Sequence, residues 1–170
     1  MRWFVWASLA VLVICAGCGG APSSPTSVVK RQGQPDMVYV GEDDPEMNKA
    51  IETAGRTVQT FIDALRSPKP GQKGFAIKKQ FKEGERGEHI WLTEVSYDGK
   101  LFHGTINNEP VNVKNVKLGE KASVAPSDIS DWMYVENGTL VGGGTIRVLY
   151  NRESSEGKKK FQRETRMKFE

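Results

Sequence analysis

Residues 89–106 read HIWLTEVSYDGKLFHGTI, and this stretch predicts the antiparallel hairpin around which the rest of the chain is organised. Apolar and polar residues alternate on both sides of Asp98 and Gly99, and the dipeptide Asp-Gly is a strong signal for a two-residue β-turn. That turn sets the register of the two strands, so Trp91 would face Ile106 on the side that packs against the core.

The same register assigns the polar residues of the hairpin to two faces. His103 would lie opposite Glu94, which favours an exposed cross-strand charge pair over a general base held by a carboxylate. His89 would lie on the other face, so a metal site built on the chain's two histidines is disfavoured. The three serines Ser123, Ser127 and Ser130 have no histidine near them in this geometry, and a serine triad is not expected.

An amphipathic helix is predicted before the sheet. Asp44 is a good N-cap, Pro45 suits the first helical position, and Ser67 before Pro68 marks the end. Apolar residues recur every three or four positions and form one stripe: Met47, Ile51, Ala54, Val58, Phe61, Ile62 and Leu65. The next segment, GFAIKKQF at 74–81, alternates as a half-buried strand that this helix would cover.

The second half of the domain predicts more sheet. Residues 111–124 supply one or two short strands, and Asn137 with Gly138 marks a second hairpin. Residues 144–152 fit a helix or a strand equally well. The fold class predicted from these patterns is α+β, with an N-terminal amphipathic helix packed on a curved antiparallel sheet built from hairpins.

The first twenty residues, MRWFVWASLAVLVICAGCGG, resemble a bacterial lipoprotein signal. A positive charge at Arg2 precedes an apolar run over 3–16 and then small residues, which is the order found in secretory signals. The run is shorter than the roughly 20 residues that a membrane-spanning helix needs. The sequence CAGC at 15–18 resembles a lipobox, which predicts lipid attachment at Cys18 and removal of 1–17 as a lipoprotein signal peptide.

The remaining chain divides by composition into three parts. Segment 18–41 is rich in Gly, Pro and Ser and predicts a flexible tether, although MVYV within it also reads as a short edge strand. Residues 42–152 make up the α+β domain, and 153–170 form a polar, basic tail that we expect to be poorly ordered. Because Cys15 leaves with the signal and Cys18 carries lipid, the domain has no disulfide and no thiol chemistry.

Charge and the N-terminus together indicate the compartment and the kinds of partner. The formal net charge is +3, which is too balanced to suggest a nucleic-acid partner. Gly19 follows the lipidated cysteine in place of the aspartate that favours inner-membrane retention. We therefore expect a protein anchored in the membrane of the cell envelope, the outer membrane rather than the inner if the host has both, with its domain facing the periplasm or the exterior.

The candidate site residues lie in two short polar and aromatic segments. Asp128 and Asp131 suit an acid–base pair or a cation site, but capping and loop hydrogen bonds explain them more simply. Trp132 reads either as a core residue or as part of a docking patch. The candidate partner surface comprises Asn107, Asn108, Glu109, Asp131, Trp132 and Tyr134. No catalytic residue, cofactor or metal ligand is predicted.

Three segments carry a family resemblance: MNKAIETAGRTVQTFIDALRSPKPGQKGFAIKKQF, EHIWLTEVSYDGKLFHGTINNEP and DISDWMYVENGTLVGGGTIRVL. Together they resemble the bacterial YegJ-like family, domain of unknown function 2314, from about Met47 to Arg152. The resemblance implies a compact α+β domain and brings no established activity with it. The chain is also, more faintly, similar to small immunity modules that bind and block toxins.

The function predicted from the sequence is therefore a lipid-anchored envelope protein with a small, non-catalytic binding domain. Its partner would be an envelope protein or a toxin, in addition to the membrane that holds the anchor. The alternatives are an envelope enzyme that uses a carboxylate or His103, and an immunity-like inhibitor of a toxin. The ligand and the oligomeric state stay open at this stage.

Overall fold

The computed structural model describes residues 27–29 and 37–169, with side chains described from residue 40 onward. Its elements run in this order: β1 (Ser27–Val29), β2 (Met37–Tyr39), α1 (Pro45–Arg66), β3 (Gln72–Glu83), β4 (Arg86–Tyr97), β5 (Phe102–Ile106), β6 (Lys121–Val124), a 3-10 turn (Pro126–Asp128), β7 (Ile129–Glu136), β8 (Thr139–Gly142), α2 (Gly144–Arg152) and α3 (Ser155–Thr165). The predicted signal peptide and the lipidation site Cys18 lie outside the described residues.

Two short strands lie within the segment predicted to be a tether. β1 pairs antiparallel with β2, with Ser27 opposite Tyr39, in a two-stranded sheet of its own. The apolar run MVYV thus contains a strand, as one of its two interpretations proposed, but this strand pairs with β1 and not with the edge of the main sheet.

Helix α1 begins and ends where its capping residues predict. The backbone N–H of Met47 donates to Asp44 Oδ1 at 3.0 Å, and Pro45 occupies the first helical position. The helix closes at Ser67, whose N–H donates to the carbonyl of Asp63. The apolar stripe faces the sheet, and Phe61 within it is completely buried. None of the described helices is long and apolar enough to cross a membrane.

The main sheet has six strands in the order β6-β5-β4-β3-β7-β8, and all its pairings are antiparallel. Helix α1 packs against one face, here called the inner face, so the predicted α+β class is confirmed. The core between them comprises Ala54, Phe61, Ile62, Ile77, Ile90, Leu92, Phe102, Ile106, Val113, Val124, Ile129, Trp132 and Tyr134. The second predicted hairpin is also confirmed, with Val135 opposite Leu140 about the turn at Asn137.

The predicted register of the first hairpin is wrong. Tyr97 pairs with Phe102, so the turn is a four-residue loop from Asp98 to Leu101. The reason is the Asp98 side chain, whose Oδ1 accepts hydrogen bonds from the backbone N–H groups of Lys100 and Leu101, both at 2.7 Å. This aspartate-stabilised loop replaces the two-residue turn.

A β-bulge at Glu94 changes the faces of strand β4. Glu94 has a φ of 52°, and the pairing with β5 shifts between Thr93 and Ser96. Before the bulge Ile90 and Leu92 point into the core, so Trp91 lies on the opposite, outer face. The prediction that Trp91 is a core residue facing Ile106 is therefore wrong.

The two histidines consequently share a face. His89 precedes the buried Ile90, and His103 lies between the buried Phe102 and Gly104, so alternation places both on the outer face. The prediction that they lie on opposite faces is wrong. In the described part of the chain there is nevertheless no cluster of three or more histidine, cysteine or acidic residues that could hold a metal ion.

The connection from β5 to β6 is one long loop and then a single strand. The loop inserts Val113 into the core and leaves Val111 and Leu118 exposed. A buried carboxylate on β4 holds it, because Glu88 Oε2 accepts the N–H groups of Val111 and Asn112, both at 2.8 Å.

The C-terminal part of the chain is more ordered than its composition predicts. Residues 144–152 form the helix α2, which settles the choice between helix and strand. The segment predicted to be a poorly ordered tail forms α3 and then pairs with the sheet edge, since the Leu140 N–H donates to Lys168 O at 3.0 Å. Tyr150 stacks on Phe169 with ring centroids 4.2 Å apart, and Phe161 packs edge-on against both rings. These aromatic contacts hold an otherwise polar segment in place.

Candidate functional site

Three consecutive residues of β7, Ser130, Asp131 and Trp132, bind three different parts of the domain. We call them the Ser-Asp-Trp segment. All three are buried, with relative exposures of 4%, 1% and 6%. Their side chains reach strand β4, helix α2 and helix α1 respectively. Because contacts to three elements meet here, the segment is the first candidate for a functional site.

Trp132 is a core residue that joins the sheet to helix α1. Its indole Nε1–H donates to the carbonyl of Ala54 at 3.1 Å and contacts Thr57 Oγ1 at 3.2 Å. The ring packs against Phe61 with a centroid distance of 5.6 Å. Of the two interpretations of this tryptophan, the structure supports the core residue, since its polar atom and its ring both have partners inside the domain.

Asp131 fixes the start of helix α2. Its Oδ1 accepts the N–H groups of Trp132 at 2.8 Å and Gly144 at 3.1 Å, and its Oδ2 accepts from Thr145 through the backbone N–H at 2.8 Å and the hydroxyl at 2.6 Å. Lys78 Nζ in turn donates to Thr145 Oγ1 at 3.1 Å. Burial raises the pKa of Asp131, while these hydrogen bonds and the nearby lysine act in the opposite direction.

The bonding of Asp131 favours a structural role over the acid–base pair considered from the sequence. An ionised carboxylate offers about four acceptor positions, and here four donors occupy them. Asp128 is engaged elsewhere, with its Oδ2 3.6 Å from Lys79 Nζ and its Oδ1 accepting from the Ser127 hydroxyl. Helix capping, the simpler explanation, is confirmed for Asp131.

Ser130 is hydrogen-bonded to a histidine, against the prediction from the sequence. Its Oγ lies 2.8 Å from Nδ1 of His89 on strand β4, which is separated from β7 by strand β3. Desolvation of the imidazole, together with the positive charges of Lys78 and Lys82, lowers the pKa of His89 to about 4. The ring is therefore neutral at pH 7 and can either accept from the serine or donate to it.

A second serine–histidine contact lies on the outer face, near the sheet edge formed by β6. His103 Nδ1 is 2.9 Å from Ser123 Oγ, and its Nε2 is 2.9 Å from Asp98 Oδ2. The predicted partner Glu94 instead accepts from Thr105 at 2.7 Å and from Lys121 at 3.1 Å. The prediction that no histidine lies near Ser123 is wrong. The longer turn shifts the register between β4 and β5, and β6 then pairs with β5 so that Ser123 lies opposite His103.

The Asp98–His103–Ser123 array differs from a hydrolase triad in two ways. In serine proteases the nucleophile meets Nε2 and the aspartate meets Nδ1, whereas here the two nitrogens are exchanged. The array also lies on an open sheet surface, where about half of the His103 and Asp98 side chains is exposed and water is not excluded. Hydrogen bonds from the Lys100 and Leu101 N–H groups, with that from His103, keep the pKa of Asp98 well below its ordinary value.

A recess of about 550 Å³ lies between α1, α2 and the Ser-Asp-Trp segment. Lys49 and Thr53 of α1 line one wall, and Arg147 and Asn151 of α2 line the other. Arg147 is engaged in structural bonds, since its guanidinium donates to the carbonyls of Gly142 and Leu140. The recess is therefore a cleft in which the guanidinium of Arg147 is bonded to the protein's own carbonyls.

The structure does not assemble the predicted partner surface. Asp131, Trp132 and Tyr134 are buried on β7. Residues 107–109 follow β5, and two strands, β4 and β3, separate β5 from β7 in the sheet. Asn107 instead joins the outer face: its N–H donates to the carbonyl of Trp91, and its Oδ1 accepts from Thr93 at 3.4 Å.

Sequence reasoning missed the outer-face position of Trp91 and its neighbour Lys78. The two residues pair across β3 and β4, and Lys78 Nζ lies 5.3 Å from the centroid of the Trp91 ring. One signal was available in the sequence. Ile90 and Leu92 flank Trp91 and share the other face of the strand. The face with two aliphatic side chains is the better candidate for the core than the face with a single aromatic side chain.

Comparisons with known proteins identify bacterial relatives. The family model DUF2314, described as an uncharacterized protein conserved in bacteria, matches residues 44–169. The chain is 36% identical to the uncharacterized protein YegJ of Escherichia coli (strain K12) over 123 residues, which cover 71% of this chain and 79% of that protein.

A second relative is longer. The chain is 36% identical over 132 residues to a putative ankyrin repeat protein of Neisseria meningitidis serogroup B, covering 73% of this chain and 52% of that protein. The chain thus spans about half the length of this relative. No solved structure is significantly similar. The match of the family model continues to residue 169. The family resemblance therefore extends beyond Arg152 and includes α3.

Proposed function

The chain belongs to the DUF2314 family of bacterial proteins, and on that premise we propose that it is a lipid-anchored envelope protein whose α+β domain binds a partner and catalyses no reaction. The proposal has two parts, the anchor and the binding domain, and each part has its own support and its own test.

One observation carries the binding part. The polar groups best placed for chemistry are already used in structural bonds, above all Asp131, whose carboxylate has four donors. A general base or nucleophile needs a free lone pair directed at a substrate, and oxyanion stabilisation needs free donors. A domain that uses its buried acid to cap a helix is better suited to presenting a rigid surface than to moving protons.

The anchor is supported by the N-terminal sequence. Arg2 and the apolar run that follows it are typical of a secretory signal, and CAGC at 15–18 resembles a lipobox. Acyl chains at Cys18 would hold the protein at a membrane because stable anchoring needs more than one chain. Gly19 favours the outer membrane where the host has two.

The anchor is tested by intact-mass measurement of the mature protein and by fractionation of Cys18→Ser. We expect a mature chain that begins at Cys18 and carries acyl chains, and we expect the variant to leave the membrane fraction. Cys15→Ser is the matched control and should stay membrane-bound. An unmodified cysteine at the mature N-terminus, or a Cys18→Ser protein that stays in the membrane fraction, would overturn this part.

The binding part is tested by crosslinking in the native envelope. The full-length, anchored protein is crosslinked in cells, and the attached molecule is identified and titrated against the purified chain. Saturable binding of one defined molecule without its chemical conversion is expected. Turnover of that molecule would instead support an enzyme. A captured toxin that loses its activity on binding would support the immunity-like form of the same function, which stays a prediction.

The Asp98–His103–Ser123 array is the observation that favours a second candidate, an envelope enzyme using His103. Such an enzyme needs a serine that reacts faster than ordinary serines. A fluorophosphonate probe, followed by peptide mapping, tests this directly. Selective labelling of Ser123 that is lost in His103→Gln would support the enzyme. Ser127, an exposed serine without a histidine partner in the described bonds, is the internal reference.

A further inference from the structure

We propose that the outer face of the main sheet binds a neutral glycan, with Trp91 at the centre of the site. The inference rests on the proposed binding function and names the surface and the ligand class. The side chains that carry it are Gln80, His89, Trp91, Thr93, Thr105 and Asn107, which we call the Trp91 face. They lie on the side of the sheet opposite helix α1.

Trp91 is a large aromatic residue held outside the core. Its neighbours Ile90 and Leu92 are completely buried, whereas Trp91 is only half-buried and contributes nothing to the inner cluster. Its indole N–H has no acceptor among the described residues, in contrast to that of Trp132, which has two. A half-buried indole with an unpartnered N–H is suited to a ligand that is apolar on one side and polar at its rim.

The groups around Trp91 are mostly uncharged donors and acceptors. Thr93 lies directly opposite Thr105 on β5, and the Thr93 hydroxyl meets the Asn107 amide at 3.4 Å. His89 and Gln80 form the next pair along the sheet. Hydroxyl, amide and neutral imidazole groups each donate and accept, which matches the hydroxyl and amide groups of a sugar. The apolar face of a saccharide ring likewise matches the exposed part of the indole.

Most charges bordering the Trp91 face are compensated within the protein, and the exception is Lys82, whose positive charge acts on His89 and which has no ion pair among the described residues. Glu94 pairs with Lys121 at 3.1 Å, and Lys78 is linked through Thr145 to the carboxylate of Asp131. A polyanion such as a nucleic acid is recognised by several lysines or arginines free to meet phosphates. A protein partner requires a broad apolar centre, and this face offers one aromatic residue. A neutral glycan fits both observations.

The proposal is tested with two neutral probes, the tetrasaccharides of β-1,4-linked N-acetylglucosamine and of β-1,4-linked glucose. The full-length chain carrying Cys18→Ser, so that the lipid does not interfere, is titrated and the indole N–H resonances are followed by NMR. The Trp91 resonance should shift saturably with at least one probe. The Trp132 resonance, which reports on the inner face, should not move.

Variants locate the site. Trp91→Ala should weaken binding by about tenfold or more, as expected for an aromatic at the centre of an interface. Thr93→Val keeps the shape of the side chain and removes the hydroxyl, and should weaken binding by a smaller factor. Melting curves confirm that both variants are folded, and Trp91→Phe, which keeps an aromatic ring, should retain part of the affinity.

Three results would overturn the proposal: no saturable shift with either probe, unchanged affinity in Trp91→Ala, or a Trp91 shift produced by a single-stranded oligonucleotide or a peptide but by neither tetrasaccharide. Each of these leaves the envelope crosslinking experiment intact. A protein that captures a defined partner there but fails with both glycans would keep the proposed binding function and lose only this assignment of surface and ligand.

Discussion

Two tryptophans on opposite faces of the sheet show how position decides the use of the same side chain. Both pair with strand β3 at adjacent positions: Trp132 lies opposite Ile77, and Trp91 lies opposite Lys78. Trp132 is buried, with two acceptors around its indole N–H, whereas Trp91 is half-buried and its N–H is unpartnered within the described residues. The polar atom of Trp132 is therefore bonded within the core, whereas that of Trp91 is left without a partner at the outer face.

The Ser-Asp-Trp segment differs from the Trp91 face in the same way. Each side chain of this segment is bonded to a different element of the fold, so a change at one residue affects more than its own strand. On the Trp91 face, neighbouring side chains mostly contact one another across strands. We therefore expect large losses of stability from the first region and small ones from the second.

The largest expected effect comes from the tryptophan pair itself. Trp132→Ala should lower the free energy of unfolding by about 3 to 5 kcal/mol, because it removes a buried ring and leaves a cavity beside Phe61. Trp91→Ala should lower it by less than about 1 kcal/mol, as is usual for changes outside the core. Urea denaturation of both variants measures the difference. Equal losses of stability would contradict the assignment of Trp132 to the core and of Trp91 to the outer face.

Asp131→Asn is expected to have the next largest effect. The amide offers one acceptor oxygen in place of two, so either the Trp132 and Gly144 donors on Oδ1 or the two Thr145 donors on Oδ2 lose their acceptor, and the start of α2 is weakened. We expect a loss of about 2 to 3 kcal/mol, as for hydrogen bonds to a buried charge. Asp98→Asn is the matched control, since that carboxylate also accepts backbone N–H groups but is exposed, and its loss should be much smaller. A similar loss of stability in both variants would contradict the expectation that burial makes the hydrogen bonds of Asp131 more important than those of Asp98.

A smaller effect is expected from Gly142→Ala, compared with Gly74→Ala. Both glycines have positive φ, 71° and 68°, so an added methyl group is strained at either position. At Gly142 it would also collide with the carbonyl and the ring of Trp132, whereas at Gly74 the space is open. Strain of this kind costs about 1 to 3 kcal/mol. We expect Gly142→Ala to be clearly the more destabilising in thermal melts, and the reverse order would show that the corner between β8 and α2 is loosely packed.

The smallest expected effect is a pH dependence that originates at His89. Its pKa is about 4 in the folded protein against an ordinary value of 6.5, so the unfolded chain binds the proton more readily between these values. Stability should therefore fall as the pH is lowered from 6.5 towards 4 and show no further loss from this group below that. We expect less than about 1 kcal/mol, because the ring is partly exposed and screened by solvent.

The contribution of His89 is isolated by comparing the wild type with His89→Gln, which can still bond to Ser130. The two urea-derived free energies should diverge between pH 6.5 and pH 4, with the variant losing less stability. Parallel curves over this range would show that the histidine is as readily protonated in the folded protein as in the unfolded one.

Much of the fold could be predicted from the sequence because its signals are local. The bounds of α1 follow from Asp44, Pro45 and Ser67, whose effects act within one helical turn. The hairpin at Asn137 was predicted in the correct register, since a two-residue turn leaves its strands only one way to pair. The apolar stripe of α1 and the alternation of β3 were sufficient to predict helix-on-sheet packing.

The first hairpin could not be predicted in the same way, because two local preferences compete there. Asp98 can start a two-residue turn or use its carboxylate to cap a longer loop, and the choice depends on which register buries the better side chains. The bulge at Glu94 allows Ile90 and Leu92 before it and Val95 after it to face the core together. The aliphatic pair Ile90 and Leu92 indicates the core side only for the part of β4 before the bulge, and no pattern in the hairpin indicates the bulge at Glu94 that changes the faces after it.

The candidate site depends even more on contacts distant in sequence. The sequence by itself determined the elements, the α+β class and the polar and aromatic residues available for a site. Only the tertiary structure decided that Asp131 caps a helix that begins at Gly144, that Ser130 meets His89, and that Trp132 faces inward. The physical reason is that local preferences extend over only a few residues. Burial is instead a property of the assembled sheet and its helix, and it decides that the indole N–H of Trp132 has acceptors in the core whereas that of Trp91 has none among the described residues.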